Sequence, residues 1–257
     1  MISKMRLTIK NFVLVCSAVL ALGVFGCASH GEGQGAGSVH DPLEGVNRVT
    51  MEINEAVDEA IIEPIATGYR KFTPSAFRIA LNNFLNNLKS PIIIGNEILQ
   101  GDLKGAGNAT ARMIINTLAG FGGILDLADQ GGIERESEDF GQTLAKWGIG
   151  DGMYLVLPIL GPSSLRDTAG LLIDGYLDPL RIYLFNIEKE GLYYARIGAS
   201  ALSERERLLD VINDLRKNSF DYYAALRSSY FQHRGAMIRD ENSELSGGPE
   251  IPDYDDF

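Results

Sequence analysis

The chain has 257 residues and carries 23 Lys plus Arg against 34 Asp plus Glu, a formal net charge of −11. That balance argues against nucleic acid, whose binding rests on basic side chains neutralising phosphates, and it leaves no polybasic patch for anionic lipid. The only cysteines are Cys16 and Cys27, and the first lies in a leader-like segment, so the mature chain is expected to hold no internal disulfide.

Residues 1–26 read as a secretory leader. Lys4, Arg6 and Lys10 make a basic start with no acid before Cys27, and residues 12–25 are almost wholly apolar, too short for a spanning helix. The segment closes Val24-Phe25-Gly26-Cys27, which resembles the bacterial lipobox, although Phe25 departs from the small or β-branched residue usual there. Acylation of Cys27 accounts for a lone thiol at the tip of an exported chain, and several acyl chains on one residue give stable attachment where one is marginal. Ala28 follows instead of an aspartate, which resembles routing to the outer membrane of a bacterium with two membranes. Residues 27–40 then read as a Gly-rich tether, residues 41–237 as the folded body, and residues 238–257 as an acidic disordered tail. His30 and His40 bracket flexible glycine, which preorganises no metal site.

Within the body the dominant period is helical. Phe77, Leu81, Phe84, Leu85 and Leu88 fall on one stripe, and the other face carries Asn82, Asn83, Asn86 and Asn87, polar but uncharged. Pro91 is suited to the first turn of a short helix over 92–99. Asn108 reads as the cap of a segment with Met113, Ile114 and Leu118, closed by glycines at 120, 122 and 123. Ser203 with Glu206 has capping-box spacing ahead of Leu208, Leu209, Ile212 and Leu215, and a last helix carries Phe220, Tyr223, Arg227, Tyr230 and Arg234.

Residues 180–187 (LRIYLFNI) and 192–197 (LYYARI) are rich in β-branched and aromatic side chains and are joined by the compact turn EKEG, which predicts a β-hairpin. The stretch 150–170 (GDGMYLVLPILGPSSLRDTAG) places an apolar run between glycines, with Pro158 inside it. Tyr154, Leu155, Val156, Leu157, Ile159 and Leu160 are either buried core or a membrane-facing loop, and pattern alone leaves both open. Ser164 with Asp167 three residues on has the spacing of a helix start.

Enzyme signatures fail one by one. Ser163 and Ser164 lack the spacing of a nucleophile elbow, and His233 is the only histidine in the folded body. The glycines at 148, 150 and 152 have no phosphate-binding lysine after them, and Asp126 with Asp129 falls short of a calcium loop. No catalytic residue, metal or cofactor is expected.

The order of motifs then carries a resemblance. DPLEGVNR (41–48), NFLNNLKSP (83–91), LQGD (99–102), INTLAGFGGILDLA (115–128), FGQTL (140–144), WGIGDGMYLVLPILGPSSLRD (147–167) and RLLD (207–210) resemble the MlaA/VacJ family of phospholipid-transport lipoproteins. The resemblance implies a mainly α, ring-like single helical domain embedded in one membrane leaflet, with a small β-hairpin. It implies a lipid-anchored protein of the outer membrane's periplasmic leaflet that removes mislocalised phospholipid through an amphipathic channel. The implied partners are phospholipid, trimeric porins and a periplasmic lipid carrier, with no nucleic acid. By analogy with the family, the predicted hairpin, with Tyr183, Phe185, Leu192 and Tyr193, would gate the channel. Two other readings stand beside this one: a lipid hydrolase or acyltransferase on the same anchor, which predicts phospholipid cleavage lost on Ser163→Ala or Ser164→Ala, and a lipoprotein that only scaffolds porins.

Overall fold

The computed structural model describes residues 41–239. The leader, Cys27 and the tether lie outside the described residues, as does the tail from residue 240 onward. What is described is mainly helical. In chain order the elements are α1 (Glu44–Val57), a π-helical turn (Asp58–Ile62), α2 (Glu63–Phe72), α3 (Ser75–Asn87), α4 (Ser90–Gln100), α5 (Leu103–Leu118) and α6 (Leu127–Gln130). Then come α7 (Phe140–Lys146), β1 (Tyr154–Leu157), β2 (Gly161–Ser164), α8 (Leu165–Leu177), α9 (Pro179–Asn186), α10 (Glu190–Arg207), α11 (Leu209–Asn218) and α12 (Tyr222–Ile238).

Local chemistry sets the helix ends. Gly101 takes φ 84° and stops α4, and the next residue, Asp102, caps α5 by accepting from the Lys104 and Gly105 amides at 2.9 and 2.8 Å. The helix therefore starts well before Asn108, which sits inside it, contrary to the sequence expectation. Ser164 caps α8 as its spacing predicts, accepting from the Asp167 amide at 3.1 Å. The expected capping box at Ser203 is absent, because α10 continues to Arg207 and the Glu206 carboxylate receives Arg70 at 2.8 Å.

The β-hairpin exists, but at another place in the chain. Residues 180–197 are not strands. Asp178 caps α9 through the Leu180 amide at 2.9 Å with Pro179 in the first turn, and EKEG joins α9 to α10. Aromatic residues favour strands only where a pleated neighbour packs on them, and here a cap and a first-turn proline decide otherwise. The observed hairpin pairs Tyr154 with Ser164 and Leu157 with Gly161, with Pro158 left in the tip, where its missing donor breaks no ladder bond. An isolated two-stranded ribbon is marginal in water. This one borrows a third edge from α1. Asn47 exchanges hydrogen bonds with the Tyr154 carbonyl and the Val156 amide at 3.0 and 2.9 Å, and Asn54 does the same with the Leu157 carbonyl and the Ile159 amide at 2.9 and 2.7 Å.

Helix packing forms a closed circuit. α3 packs on α5, α5 on α4, α4 on α7, α7 on α8, α8 on α9, α9 on α10, and α10 returns to α3. A compact apolar cluster of Met51, Tyr154, Val156 and Tyr223, with Tyr230 and Phe231 against it, lies to one side under the hairpin. Arginine clamps tie the surrounding elements together. Arg205 and Arg216 grip Asp58 of the π-helical turn at 2.7 and 3.1 Å, and Arg234 of α12 joins Asp139 and Asp167 at 2.6 and 2.9 Å. Away from that cluster the usual partition is inverted. Among the described residues more large apolar side chains are exposed than buried, including Phe72, Phe77, Leu103, Leu118, Phe121 and Leu172.

Candidate functional site

Three helices of the circuit, α3, α4 and α5, and the segment after α6 line an open polar pocket. α3 contributes Asn83, Asn86 and Asn87, α4 contributes Ser90 and Ile93, and α5 contributes Asn108, Arg112 and Asn116. The segment after α6 adds Glu134, Arg135 and Glu136. The asparagine face of α3 is thus turned inward, while Phe77 and Phe84 of its apolar stripe are exposed and only Leu85 is buried. An uncharged polar face suits a wall that must be wet without fixing a strong field.

Some of these groups build the wall. Arg112 and Asn116 hold Asp126 at 2.6 and 2.8 Å, Asn116 accepts from the Ala128 amide at 3.0 Å, and Asn87 donates to Thr117 at 2.9 Å. Burial alone would raise Asp126, but the Asn116 amide, the Asp129 N–H and Arg112 outweigh it and keep the carboxyl below its usual range. The aspartates considered for a cation are thereby an anchoring residue and a neighbour at the start of α6.

Behind the wall runs a buried polar seam between α4, α7 and α8. Thr143 donates to Asn96 at 2.8 Å, Asn96 donates to Asp174 at 3.0 Å, and Asp174 accepts from the Phe140 amide at 2.8 Å. Burial pushes Asp174 up to about 6. Glu97, almost fully buried, is pushed up to about 8 by burial first and then by Glu138, Glu136 and Asp102, and its hydrogen bond to Glu136 favours the neutral form.

The residues singled out in the sequence separate into two kinds. Tyr154 and Val156 are core, which corrects their assignment to a membrane-facing loop, because alternate positions of β1 turn under α1 and α12. Leu155 and Leu157 are half-buried, and Ile159 and Leu160 are exposed at the tip. Tyr183 and Leu192 are exposed, Phe185 is half-buried, and Tyr193 is buried, its ring 5.9 Å from that of Phe185. Ser163 pairs with Thr168 at 3.0 Å, and Ser164 holds the α8 cap. Arg135, which lines the pocket, was not singled out from the sequence.

A helical body with an asparagine-lined pocket between three of its helices matches one family along nearly its whole described length. Residues 39–237 match the MlaA lipoprotein family. The chain belongs to the MlaA lipoprotein family. It is a family of non-enzymatic outer-membrane lipoproteins. The chain is 35% identical over 222 residues to the intermembrane phospholipid transport system lipoprotein MlaA of Escherichia coli, covering 84% of this chain and 85% of that one. It is 28% identical over 237 residues to the protein of the same name from Haemophilus influenzae, covering 90% and 92%. A solved structure reported as "Structural basis for maintenance of bacterial outer membrane lipid asymmetry" superposes with a TM-score of 0.69 at 33% identity, covering 78% of this chain and all of that one.

Proposed function

We propose that this MlaA-family chain maintains outer-membrane lipid asymmetry by letting mislocalised phospholipid leave the outer leaflet through the cavity inside its helix circuit. The observation that carries the reading is the inverted partition: many large apolar side chains exposed at the surface and an asparagine-lined pocket between α3, α4 and α5. An exposed apolar surface of this extent is unfavourable in water but favourable in hydrocarbon, and a headgroup crossing that region needs hydrogen-bonding groups to replace its water. No helix of the described residues is long and apolar enough to cross a membrane, which suits embedding in a single leaflet. The names borne by the E. coli and H. influenzae relatives point the same way.

In this reading Cys27 carries the acyl anchor in the periplasmic leaflet, trimeric porins hold the protein in place, and a periplasmic carrier receives the lipid. Ile159 and Leu160 dip into acyl chains, and the α9–α10 corner with Tyr183 and Leu192 borders the mouth of the path. The test is the phospholipid content of the outer leaflet in cells lacking the gene. It rises on deletion, falls on complementation with wild type, and stays high with Cys27→Ala. No change on deletion would overturn the reading and favour a purely structural role.

A further inference from the structure

The elements Glu44–Val57, Asp58–Ile62 and Glu63–Phe72 follow one another without a break, so α1, the π-helical turn and α2 make one rod about 40 Å long. Its inner side steps through Asn47, Met51, Asn54, Asp58, Glu63, Ala66 and Arg70. Asn47 and Asn54 bond the hairpin, Met51 is core, Ala66 is buried and Arg70 reaches Glu206 at 2.8 Å. Every step in that series is three or four residues except Asp58 to Glu63, which is five. On an α-helix such a step would set the two side chains about 140° apart. Here the same two guanidiniums grip both. Arg216 Nη2 lies 3.1 Å from Asp58 and its Nη1 3.2 Å from Glu63, and Arg205 Nη2 lies 2.7 Å from Asp58 and 3.7 Å from Glu63. The backbone allows it, because the Glu63 N–H donates to the Asp58 carbonyl five residues back and so takes up one residue more than an α-turn.

The same extra residue keeps the outer side in phase. Val46, Val49 and Ile53 of α1, Ile61 of the turn, and Ile65 and Phe72 of α2 are each more than half exposed. On an unbroken α-helix Ile65 would lie about 120° round from Ile53, and the extra residue brings it back to about 20°. The six therefore form one apolar line along the rod. The exposed charges of the rod are Glu52, Glu59 and Lys71, and Glu59 stands with Thr67 in a polar groove beside Arg216, away from the line. No helix of the described residues has the apolar length to cross a membrane, and a line about 40 Å long fits lengthwise in one leaflet. An amphipathic helix in that plane turns its polar face to water, whereas this rod turns it into its own protein. Asp41, held by Asn47 at 3.1 Å and Arg227 at 3.2 Å, leads the chain into the rod. Residues 28–40 are all that separate it from Cys27, a reach of at most about 50 Å, so the rod is the element next in the chain to the proposed anchor.

Building on the single-leaflet reading proposed above, we infer that the π-helical turn sets the rotational phase of α2 so that residues 46–72 present one continuous edge to phospholipid acyl chains, with Arg205 and Arg216 as the positioning residues that hold the turn. The occupant is the same along the whole edge, beyond the turn as well as before it.

The test uses the full lipidated chain in vesicles of dioleoylphosphatidylcholine. With Cys27 acylated, a cysteine introduced at Val49, Ile53, Ile61, Ile65 or Thr67 is the only free thiol of the mature chain and takes a nitroxide spin label. Oxygen, which concentrates in hydrocarbon, and a nickel chelate, which stays in water, then compete to relax the label. At Val49, Ile53, Ile61 and Ile65 oxygen dominates to a similar degree, and at Thr67 the chelate dominates. With Arg205→Gln/Arg216→Gln the oxygen preference falls severalfold at Ile65 and holds at Val49. Deleting Ala60 in that background restores it at Ile65, because the shortened rod keeps both faces in phase as plain α-helix. Oxygen preference at Val49 and Ile53 with chelate preference at Ile61 and Ile65 overturns the phase-setting role and leaves the leaflet reading standing. Chelate preference at all of them overturns both. Labels shielded from both relaxants show a protein surface over the edge, a second copy included, and overturn the acyl occupant. An Ile65 label unchanged by the Gln pair, or not rescued by the deletion, overturns the role of the two arginines.

Discussion

Gly170 of α8 lies so close to Gly141 of α7 that a Cβ on Gly170 would stand 2.3 Å from the Gly141 amide nitrogen. The obstacle is backbone, which cannot swing away. Gly141 is equally confined, since a Cβ there would meet Asp167 Oδ1 at 2.6 Å and Arg234 Nη2 at 2.8 Å. We predict that Gly170→Ala separates α7 from α8 and costs about 3 kcal/mol, the upper range for overpacking. Gly175→Ala, where a Cβ meets nothing within 4 Å, is the control. Denaturant titration of both variants checks the difference.

Arg234 is the keystone of the same corner. It bonds Asp139 and Asp167 in forked fashion, and Tyr230 also donates to Asp167. Burial would raise Asp167, but Arg234 and Tyr230 hold it below its usual range. Arg234→Ala leaves Asp139 without this partner and Asp167 with Arg166 as its remaining cation at 3.0 Å, and is expected to cost about 3 kcal/mol, the low end for a broken buried pair. Arg234→Lys recovers little, because an ammonium cannot span both carboxylates. For the lowered Asp167, the stabilising contribution is present above its unfolded pKa and is lost as pH falls through the folded value. Melting temperatures between pH 6 and pH 3 should therefore drop more steeply in wild type than in Arg234→Ala.

Glu97 runs in the opposite sense. Burial and the neighbouring carboxylates push its folded pKa up to about 8, well above the ordinary glutamate range, so the native state keeps a proton that the unfolded state has already released. Stability from this group is complete below the unfolded value and declines as pH rises through the folded one. We predict that Glu97→Gln, which keeps the shape without the charge, raises stability at pH 8.5 by on the order of 2 kcal/mol and changes little at pH 5. Equal melting temperatures of wild type and variant at pH 8.5 would sink the idea. Glu136 lines the cavity and is hydrogen-bonded to Glu97, so the same titration should alter lipid retention only if the wall segment moves with it.

Legibility in the sequence followed the range of the interaction. The Ser164 cap, the first-turn Pro91 and the asparagine face of α3 were readable because each depends on residues within a turn or two. The misplaced hairpin shows the limit. LRIYLFNI carries strand-like composition, yet Asp178 and Pro179 just ahead of it start a helix, and the aromatic rings then pack between α9 and α10, with Phe185 and Tyr194 centroids 6.2 Å apart. The true hairpin was hidden because its support comes from Asn47 and Asn54, roughly a hundred residues away. Arg135 on the pocket wall escaped notice for a related reason. Nothing local marks a residue as lining a pocket until the helices around it are placed.

The hairpin tip offers the last prediction. Ile159 adopts φ 67°, a left-handed conformation that a β-branched residue rarely takes, and its amide is fixed by Asn54 Oδ1 at 2.7 Å. Such strain costs on the order of 1–3 kcal/mol and persists only where the surroundings impose it. What it achieves here is display, since Ile159 and Leu160 both stand exposed beyond the ribbon. Ile159→Gly relieves the backbone and should stabilise the fold by about 1 kcal/mol, measured by denaturant titration. The same variant loses an apolar side chain from the tip, so its partition onto phospholipid vesicles should weaken, and Leu160→Asp should weaken it further without changing the melting temperature. If Ile159→Gly gains stability and vesicle binding is unchanged in both variants, the tip does not enter the leaflet. If binding falls while stability rises, the strain is maintained for the sake of the membrane contact.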